Sequence, residues 1–462
     1  MVGVIISLLV TIMVVVILLK KMKAQFVLFF GGLTLLVCSI AMDAFGLLPN
    51  GAQILPKGVA STGFIGFDLF KCITSLMSSR TAGIGLLIMS AAGYSKYMSM
   101  IGASAIMADY LCRPLCIFRS PYFVLSLAYI IGAIADLFIP SASGLAMLLM
   151  VTIYPVLVRL GASRLSAAVI ATVSCLDMGP TSGAANYAAQ VAGMDTMTYF
   201  VEYQIPVGIV VTIAVAALHF FTQRYFDAKD GDKANEVDEA TAKQEKIDVK
   251  GAPAWYGLLP MIPLVLLIVF NRFVIDTVKL DVPTAMFISF TVALCCELAR
   301  KAVKDVLNTG FEFFHMMGRQ FATVITLIVA GELFAKGLIA TGTIDYLIAG
   351  TQNLGLPAYA IMIVVVSFIS ISCVVMGSGN APFFAFAPLV PDFAQQFGVS
   401  TILLLMPMQL STGLARVMSP ITAVVVAVAG CSGISPFALV RRTAIPMTGG
   451  LIVMVVMTII LN

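Results

Sequence analysis

The chain has 462 residues, of which 60% are hydrophobic and only 11% are charged, and its formal net charge is +4 at pH 7. Soluble globular proteins carry about 25% charged residues, so this composition excludes an ordinary soluble domain. The small positive excess also gives no indication of a nucleic-acid partner. Many apolar runs approach the roughly 20 residues that cross a bilayer as a helix. Since hydrocarbon cannot satisfy exposed backbone groups, the composition predicts an α-helical integral membrane protein.

The apolar runs follow the same order twice along the chain. In the first half, helices are predicted at about 3–20, 26–46, 82–101 and 204–223, with an amphipathic stretch at 65–79, a stretch at 121–160 interrupted at 141–144 (SASG) and a run from 165 interrupted at 180–183 (PTSG). In the second half, helices are predicted at about 256–271, 280–298, 320–340 and from 444, with an amphipathic stretch near 303–316, a stretch at 358–397 interrupted at 377–380 (GSGN) and a run at 402–432 interrupted at 419–422 (SPIT).

A charged segment separates the two halves. Residues 224–253 hold 14 of the 50 Lys, Arg, Asp and Glu residues, which predicts a solvated cytoplasmic linker between a first repeat at 1–223 and a second repeat at 254–462. Matching residues such as Pro180 and Pro420 lie 240 positions apart, which indicates a duplication.

The predicted fold is an all-α integral membrane protein with two inverted repeats. Each repeat has five transmembrane helices, a re-entrant hairpin (121–160 or 358–397) and a broken helix. An odd number of crossings inverts the second half, and the distribution of Lys and Arg favours ten helices with both termini outside.

The four polar interruptions predict a binding site, because inverted repeats with discontinuous helices are typical of secondary transporters. A helix that begins at membrane depth offers free N–H groups and a positive dipole end to an anion. Unwound carbonyls at such breaks also bind Na⁺, so a sodium site at the hairpin tips is an open possibility. The predicted substrate-binding residues are Ser141, Ser143, Gly144, Thr181, Ser182, Gly183, Ser378, Gly379, Asn380, Ser419 and Thr422, with Pro180 and Pro420 as the helix-breaking residues.

Arg416 joins this predicted site as the group that binds a carboxylate. It lies in an apolar stretch three residues before the second-half break, where a charge is costly and usually faces a cavity or a partner. Asp177 precedes the matching first-half break by the same three residues. The sequence leaves open whether Asp177 carries a coupling proton, helps bind a cation or neutralises Arg416. Asp136 and Glu332 are further charges inside apolar segments.

Other functions fit the sequence less well than an organic-anion carrier. A carrier for citrate or an amino-acid conjugate has the same architecture, whereas a pure cation antiporter would want acidic pairs at the breaks. An intramembrane serine protease would need Ser143 close to a histidine, but His219 and His315 lie near predicted helix ends. Scattered cysteines without a CxxC pair indicate neither disulfides nor a metal centre. We therefore predict no catalytic residues and no cofactor beyond a coupling H⁺ or Na⁺.

Several segments resemble the anaerobic C4-dicarboxylate carrier family DcuC over essentially the whole chain. The resemblance is carried by 377–386 (GSGNAPFFAF), 416–430 (RVMSPITAVVVAVAG) and 434–446 (ISPFALVRRTAIP), and more loosely by 143–144, 179–183 and 219–227 (HFFTQRYFD).

This resemblance implies a carrier of fumarate, succinate, malate or aspartate that works by exchange or by H⁺- or Na⁺-coupled transport in the inner membrane. It also implies a homodimer whose transport domain, about 121–198 plus 358–435, moves like an elevator against a scaffold. The expected partners are a small dicarboxylate, the lipid bilayer and a second copy of the chain, with no nucleic acid.

Overall fold

The computed structural model describes residues 2–20, 22–48, 51–52, 54–56, 58–139, 141–230, 251–270, 274–275, 277–278, 280–343 and 358–461. The described residues form helices joined by turns and loops and contain no β-strand, which confirms the predicted all-helical class. Most of the predicted linker, residues 231–250, lies outside the described ranges.

Most helices lie within the predicted apolar runs, but a helix at Ala103–Cys112 was not predicted, and the run from 165 contains only the short α-helix Arg164–Ala168 before its break. The first half contains α1 (Val2–Leu19), α2 (Ala24–Ala44), α3 (Ile65–Arg80), α4 (Leu86–Met100), α5 (Ala103–Cys112), α6 (Pro121–Asp136), α7 (Ala142–Thr152), α8 (Tyr154–Arg159), α9 (Arg164–Ala168), α10 (Gly183–Val191) and α11 (Ile205–Asp230). The second half contains α12 (Ile262–Val269), α13 (Val282–Leu298), α14 (Val303–Gln320), α15 (Thr326–Ala340), α16 (Ala358–Met376), α17 (Asn380–Phe386), α18 (Val390–Phe397), α19 (Thr401–Arg416), α20 (Ala423–Ser432) and α21 (Pro436–Leu461).

The sequence divided one of these regions incorrectly. It separated α14 from α15, but this pair forms one continuous helical run through a π-helical turn at Phe321–Ile325, which keeps the backbone hydrogen-bonded. The predicted separation of α3 from α4 is confirmed, because the π turn at Thr81–Gly85 contains a kink at Gly83, whose φ of −85° and ψ of −105° are not helical. The last helix also begins at Pro436, earlier than the predicted residue 444.

The two π turns are 240 residues apart, which is the offset that relates matched residues in the sequence. Each run then ends before a left-handed glycine, Gly102 with φ of 82° and Gly342 with φ of 70°, at the same offset. The local backbone is therefore duplicated in these segments. The relative orientation of the two halves and the re-entrant hairpins stay predictions.

The chain forms two compact units. Unit A contains Met1–Leu86 and Arg319–Met408, and unit B contains Leu87–Gly318 and Gln409–Asn462. In unit A, α15 packs against α2, and Gly32 lets the backbones approach closely because a Cβ there would lie 2.6 Å from the amide nitrogen of Phe334. In unit B, α11 packs against α6 and α21, and a separate aromatic core stacks Phe290 on Phe313 with ring centroids 4.2 Å apart.

Among the described residues, seven helical runs are long and apolar enough to cross a membrane. They are Ala24–Ala44, Ile65–Met100, Ala142–Arg159, Thr196–Asp230, Val303–Ala340, Tyr359–Met376 and Pro436–Leu461. Shorter apolar helices, α13 among them, accompany these runs. The chain is a multi-pass membrane protein, and the count of ten crossings stays a prediction.

Candidate functional site

The first-half break lies in unit B between a 3₁₀ turn that ends at Thr172 and the start of α10. Asp177 has a φ of 48° and is the one non-glycine residue with positive φ among the described residues. Aspartate tolerates this left-handed conformation better than most residues because its short side chain can hydrogen-bond locally. Ser182 then caps α10, since its Oγ accepts a hydrogen bond from the amide of Ala185 at 3.2 Å.

The polar groups of this break bond mainly to nearby backbone. Thr181 Oγ1 donates to the carbonyl of Leu137 at 2.8 Å, which ties the break to the end of α6. Asn186 Nδ2 donates to the carbonyls of Pro180 and Ser182 at 2.8 and 2.6 Å. Thr181 and Ser182 are buried, and each has a hydrogen-bond partner within the protein.

The second-half break joins α19 and α20, also in unit B. Helix α19 ends at Arg416, and α20 begins after Thr422, whose backbone is extended. Thr422 Oγ1 donates to the carbonyl of Arg416 at 2.5 Å and does not cap α20. No side chain caps this N-terminus, so the first N–H groups of α20 lack an intrahelical partner and can donate to a ligand.

The structure brings the two breaks into direct contact. Arg416 Nη2 donates to the carbonyl of Ser174 at 2.7 Å, and Arg416 Nη1 lies 3.7 Å from Asp177 Oδ2. The approach is tight because Gly413 has no side chain; a Cβ there would overlap the carbonyl oxygen of Cys175. Since 3.7 Å is too long for a hydrogen bond, Arg416 and Asp177 attract each other without closing a bonded pair.

Several buried polar atoms at this junction have no hydrogen-bond partner. They are Arg416 Nε, Ser419 Oγ, Ser174 Oγ and Asn186 Oδ1. Most buried polar groups in proteins are hydrogen-bonded, and leaving one unpaired costs about 1–3 kcal/mol. Unpaired buried atoms at the two breaks are consistent with a site that binds a polar ligand or ordered water.

Sequence reasoning missed two glutamines that hold the junction together. Gln409 Nε2 donates to the carbonyl of Asp177 at 2.9 Å, and Gln204 Nε2 donates to Gln409 Oε1 at 2.8 Å. Gln204 Oε1 in turn accepts from the amide of Gly179 at 3.0 Å. Both glutamines are fully buried. The signal available in the sequence was an amide in the middle of an apolar run, where it needs a partner.

The first hairpin tip also belongs to unit B. Ser141 Oγ accepts a hydrogen bond from the amide of Gly144 at 3.3 Å and so caps α7, whereas Ser143 is exposed. Helix α7 packs against α20. Asp136, the last residue of α6, is buried and interacts electrostatically with Asp177 and Arg416.

The second hairpin tip, Ser378, Gly379 and Asn380, belongs to unit A. Gly377 ends α16 in the left-handed conformation with φ of 65°, and Ser378 Oγ accepts from the amide of Ala381 at 3.5 Å. Whether all four interruptions form one site therefore stays a prediction. Glu332, also in unit A, pairs with Arg80 Nε at 2.7 Å.

The chain matches known carriers over nearly its full length. The family model of DcuC, described as the C4-dicarboxylate anaerobic carrier, matches residues 2–462. The anaerobic C4-dicarboxylate transporter DcuC of Escherichia coli K12 is 35% identical over 443 residues, which cover 95% of this chain and 92% of that protein. The probable counterpart in Vibrio cholerae is 33% identical over 464 residues and covers 100% of this chain and 98% of that one.

Two solved structures share the fold at low sequence identity. The YdaH transporter of Alcanivorax borkumensis has a TM-score of 0.66 at 16% identity and covers 94% of this chain and 98% of that one. MtrF of Neisseria gonorrhoeae, from a class of antimetabolite efflux pumps, has a TM-score of 0.57 at 13% identity, with 95% of each chain covered. On the match along its whole length, this multi-pass membrane protein belongs to the DcuC family, a family of carriers and not of enzymes.

Proposed function

We propose that the chain is a secondary active transporter of C4-dicarboxylates, such as fumarate, succinate, malate and aspartate. The observation that carries this proposal is the state of Arg416, which is anchored by the carbonyl of Ser174 but has an unpartnered Nε and no hydrogen bond to Asp177. A guanidinium held in this way can bind a carboxylate through two parallel hydrogen bonds. The relatives are named for C4-dicarboxylates, which agrees with this chemistry.

The second carboxylate of the substrate would lie at the N-terminus of α20. This helix has ten residues, begins seven residues after Arg416 and lacks a side-chain cap. Its dipole and free N–H groups favour a negative charge there. Ser419 lies between Arg416 and α20 in the sequence, and its Oγ, which is buried and has no hydrogen-bond partner, would donate a third hydrogen bond.

The proposal also includes how the chain would work. The two halves would be inverted repeats, each with a re-entrant hairpin, and the transport domain at about 121–198 plus 358–435 would move against a dimeric scaffold in the inner membrane. Transport would proceed by exchange or be coupled to H⁺ or Na⁺. The repetition of π turns and left-handed glycines at an offset of 240 residues supports the duplication that this mechanism needs.

The test is counterflow in liposomes that contain the purified full-length chain. Vesicles loaded with unlabelled succinate should take up labelled fumarate rapidly and saturably, whereas empty vesicles should not. Competition by citrate, glutarate and monocarboxylates then defines the chain length that the site accepts. A channel would show flux that neither saturates nor depends on internal succinate. Absence of counterflow with every dicarboxylate tested would reject the substrate class.

Arg416→Ala should reduce counterflow by about 100-fold, because charge-assisted hydrogen bonds contribute roughly 1.5–3 kcal/mol each to binding and each 1.4 kcal/mol is a factor of ten. Arg441→Ala is the matched control, since its side chain is 59% exposed and lies on α21. It should leave counterflow unchanged. Equal losses in both variants would show that the effect is not specific to the proposed site.

A further inference from the structure

A third charged side chain lies beside Arg416 and Asp177. Asp136 is the only charged residue of α6 and ends that apolar helix, with 9% of its surface exposed. The end of α6 is fixed against the first break, because the next residue, Leu137, accepts the hydrogen bond from Thr181 Oγ1. Asp136 therefore lies at the edge of the proposed substrate site although no motif marks it.

Asp136 differs from Asp177 in having no direct partner. Among the described residues its carboxylate receives no hydrogen bond and lies within 4 Å of no cationic group, whereas Asp177 faces Arg416 at 3.7 Å. The titratable and charged groups that face Asp136 are Asp177, Arg416, Tyr129 of its own helix and Cys175. Tyr129 Oη and Cys175 Sγ bond to each other at 2.8 Å, which leaves Arg416 as the one source of positive charge.

The charge count at this position is unfavourable for two ionised acids. Asp136, Asp177 and Arg416 together carry a charge of −1, and a fully ionised dicarboxylate adds two more negative charges. Asp136 also lies at the C-terminal end of a helix, where the partial negative charge of the dipole opposes an anion. When the substrate binds Arg416, it neutralises the only group that stabilises an ionised Asp136. A proton on Asp136 removes one of the repelling charges at that moment.

We propose that Asp136 carries the coupling proton that moves together with the dicarboxylate. The inference rests on the proposed function and deepens it by naming the coupling residue. A proton from hydronium on the side of entry forms an O–H bond with a carboxylate oxygen of Asp136 as the substrate binds. The bond breaks when the substrate leaves, and the proton passes to water on the other side. No oxidant, reductant or metal takes part, and one proton crosses per cycle through this group.

The experiment compares net uptake with counterflow in proteoliposomes in which valinomycin and equal potassium hold the membrane potential at zero. For each cotransported proton, a pH difference of one unit supports about a tenfold accumulation of succinate. In Asp136→Asn, accumulation at a one-unit gradient should fall by about tenfold, while counterflow at symmetric pH stays within about threefold of the unmodified chain. Asp136→Glu should restore the accumulation.

Asp109→Asn is the control for loss of an acid. Asp109 forms an exposed pair with Arg113 in the same unit, so this variant should accumulate succinate normally. Proton uptake on addition of succinate, followed with a pH dye in weak buffer, provides a second measurement on purified protein. The unmodified chain should take up a proton with each bound substrate, and Asp136→Asn should take up one fewer. Size-exclusion chromatography confirms that each variant is folded.

Three results would overturn the inference. The first is Asp136→Asn protein that still accumulates succinate and takes up protons like the unmodified chain. The second is accumulation that follows a sodium gradient and not the pH gradient. The third is a folded Asp136→Asn protein that loses counterflow as strongly as accumulation, since Asp136 would then bind the substrate and not the proton. Failure of the unmodified chain to show any dicarboxylate counterflow is a different result, because it rejects the proposed function and the inference together.

Discussion

Two arginines in unit B show how the same side chain can serve different purposes. Arg442 on α21 is 1% exposed; its Nη1 lies 2.7 Å from Asp227 Oδ1, and its Nη2 lies 3.2 Å from Asp230 Oδ2. Arg416 at the end of α19 is 15% exposed and lies 3.7 Å from its acid. The Arg442–Asp227 pair is hydrogen-bonded, and we call it closed; the Arg416–Asp177 pair is too long for a hydrogen bond, and we call it open.

The surroundings of the two acids explain this difference. Asp227 accepts further hydrogen bonds from the hydroxyls of Ser163 and Ser166, at 2.7 and 2.8 Å, and from Tyr122 at 3.2 Å. Both oxygens of that carboxylate accept hydrogen bonds from the protein, so the cluster stabilises the packing of α6, α9, α11 and α21. Among the described residues, the side chain of Asp177 has no such set of donors, and the hydrogen bond from Gln409 reaches only its backbone carbonyl. A closed network stabilises the fold, whereas an open pair leaves donors for a ligand.

Removing the closed pair should produce the largest loss of stability. Arg442→Met keeps the side-chain volume but leaves Asp227 buried without its cation, so we expect the free energy of unfolding to fall by about 3–5 kcal/mol. Thermal unfolding in detergent measures this loss. Arg441→Met should change stability by less than about 1 kcal/mol, because its pair with Asp230 is exposed and 3.8 Å long. Equal stability of the two variants would show that burial of the pair does not matter.

Forcing the two breaks apart should have an intermediate effect. Gly413→Ala places a methyl group against the carbonyl of Cys175, and such overpacking costs about 1–3 kcal/mol. The displacement also moves Arg416, so counterflow should fall more than stability would explain. Gly430→Ala on α20 is the matched control, since a Cβ there meets nothing within 4 Å. Normal counterflow in Gly413→Ala would show that transport does not depend on the close approach of the two breaks.

The glutamine pair should give the smallest effect. Gln204→Leu leaves the amide of Gly179 and Gln409 Oε1 without their partners, for an expected loss of about 1 kcal/mol in stability. Its control is Gln190→Leu on α10, where the side chain is exposed. Thermal unfolding of both variants checks the difference. A Gln204→Leu protein that is more stable than the unmodified chain would indicate that the pair is retained for function.

Much of the architecture was predictable because the bilayer imposes a simple length rule on apolar sequence. The apolar runs contain most of the helices, and the interruptions at Ser141, Pro180, Gly377 and Ser419 all lie in non-helical segments between helices. The rule failed at the π turn of Phe321–Ile325, where the helix continues through a predicted boundary. It failed there because a π turn still satisfies the backbone, so hydropathy has no signal for it.

The sequence by itself determined that this chain spans the membrane and where its helices break, since apolar length and Gly, Pro and Ser placement act locally. It also singled out Arg416 and Asp177, because a charge in an apolar run is costly wherever it lies. Only the tertiary structure decided that these two face each other at 3.7 Å and that Asp136 lies beside them. It also decided that Gln204 and Gln409 link the breaks. Such contacts join positions up to about 240 residues apart, and residue spacing carries no information on which buried polar groups become neighbours.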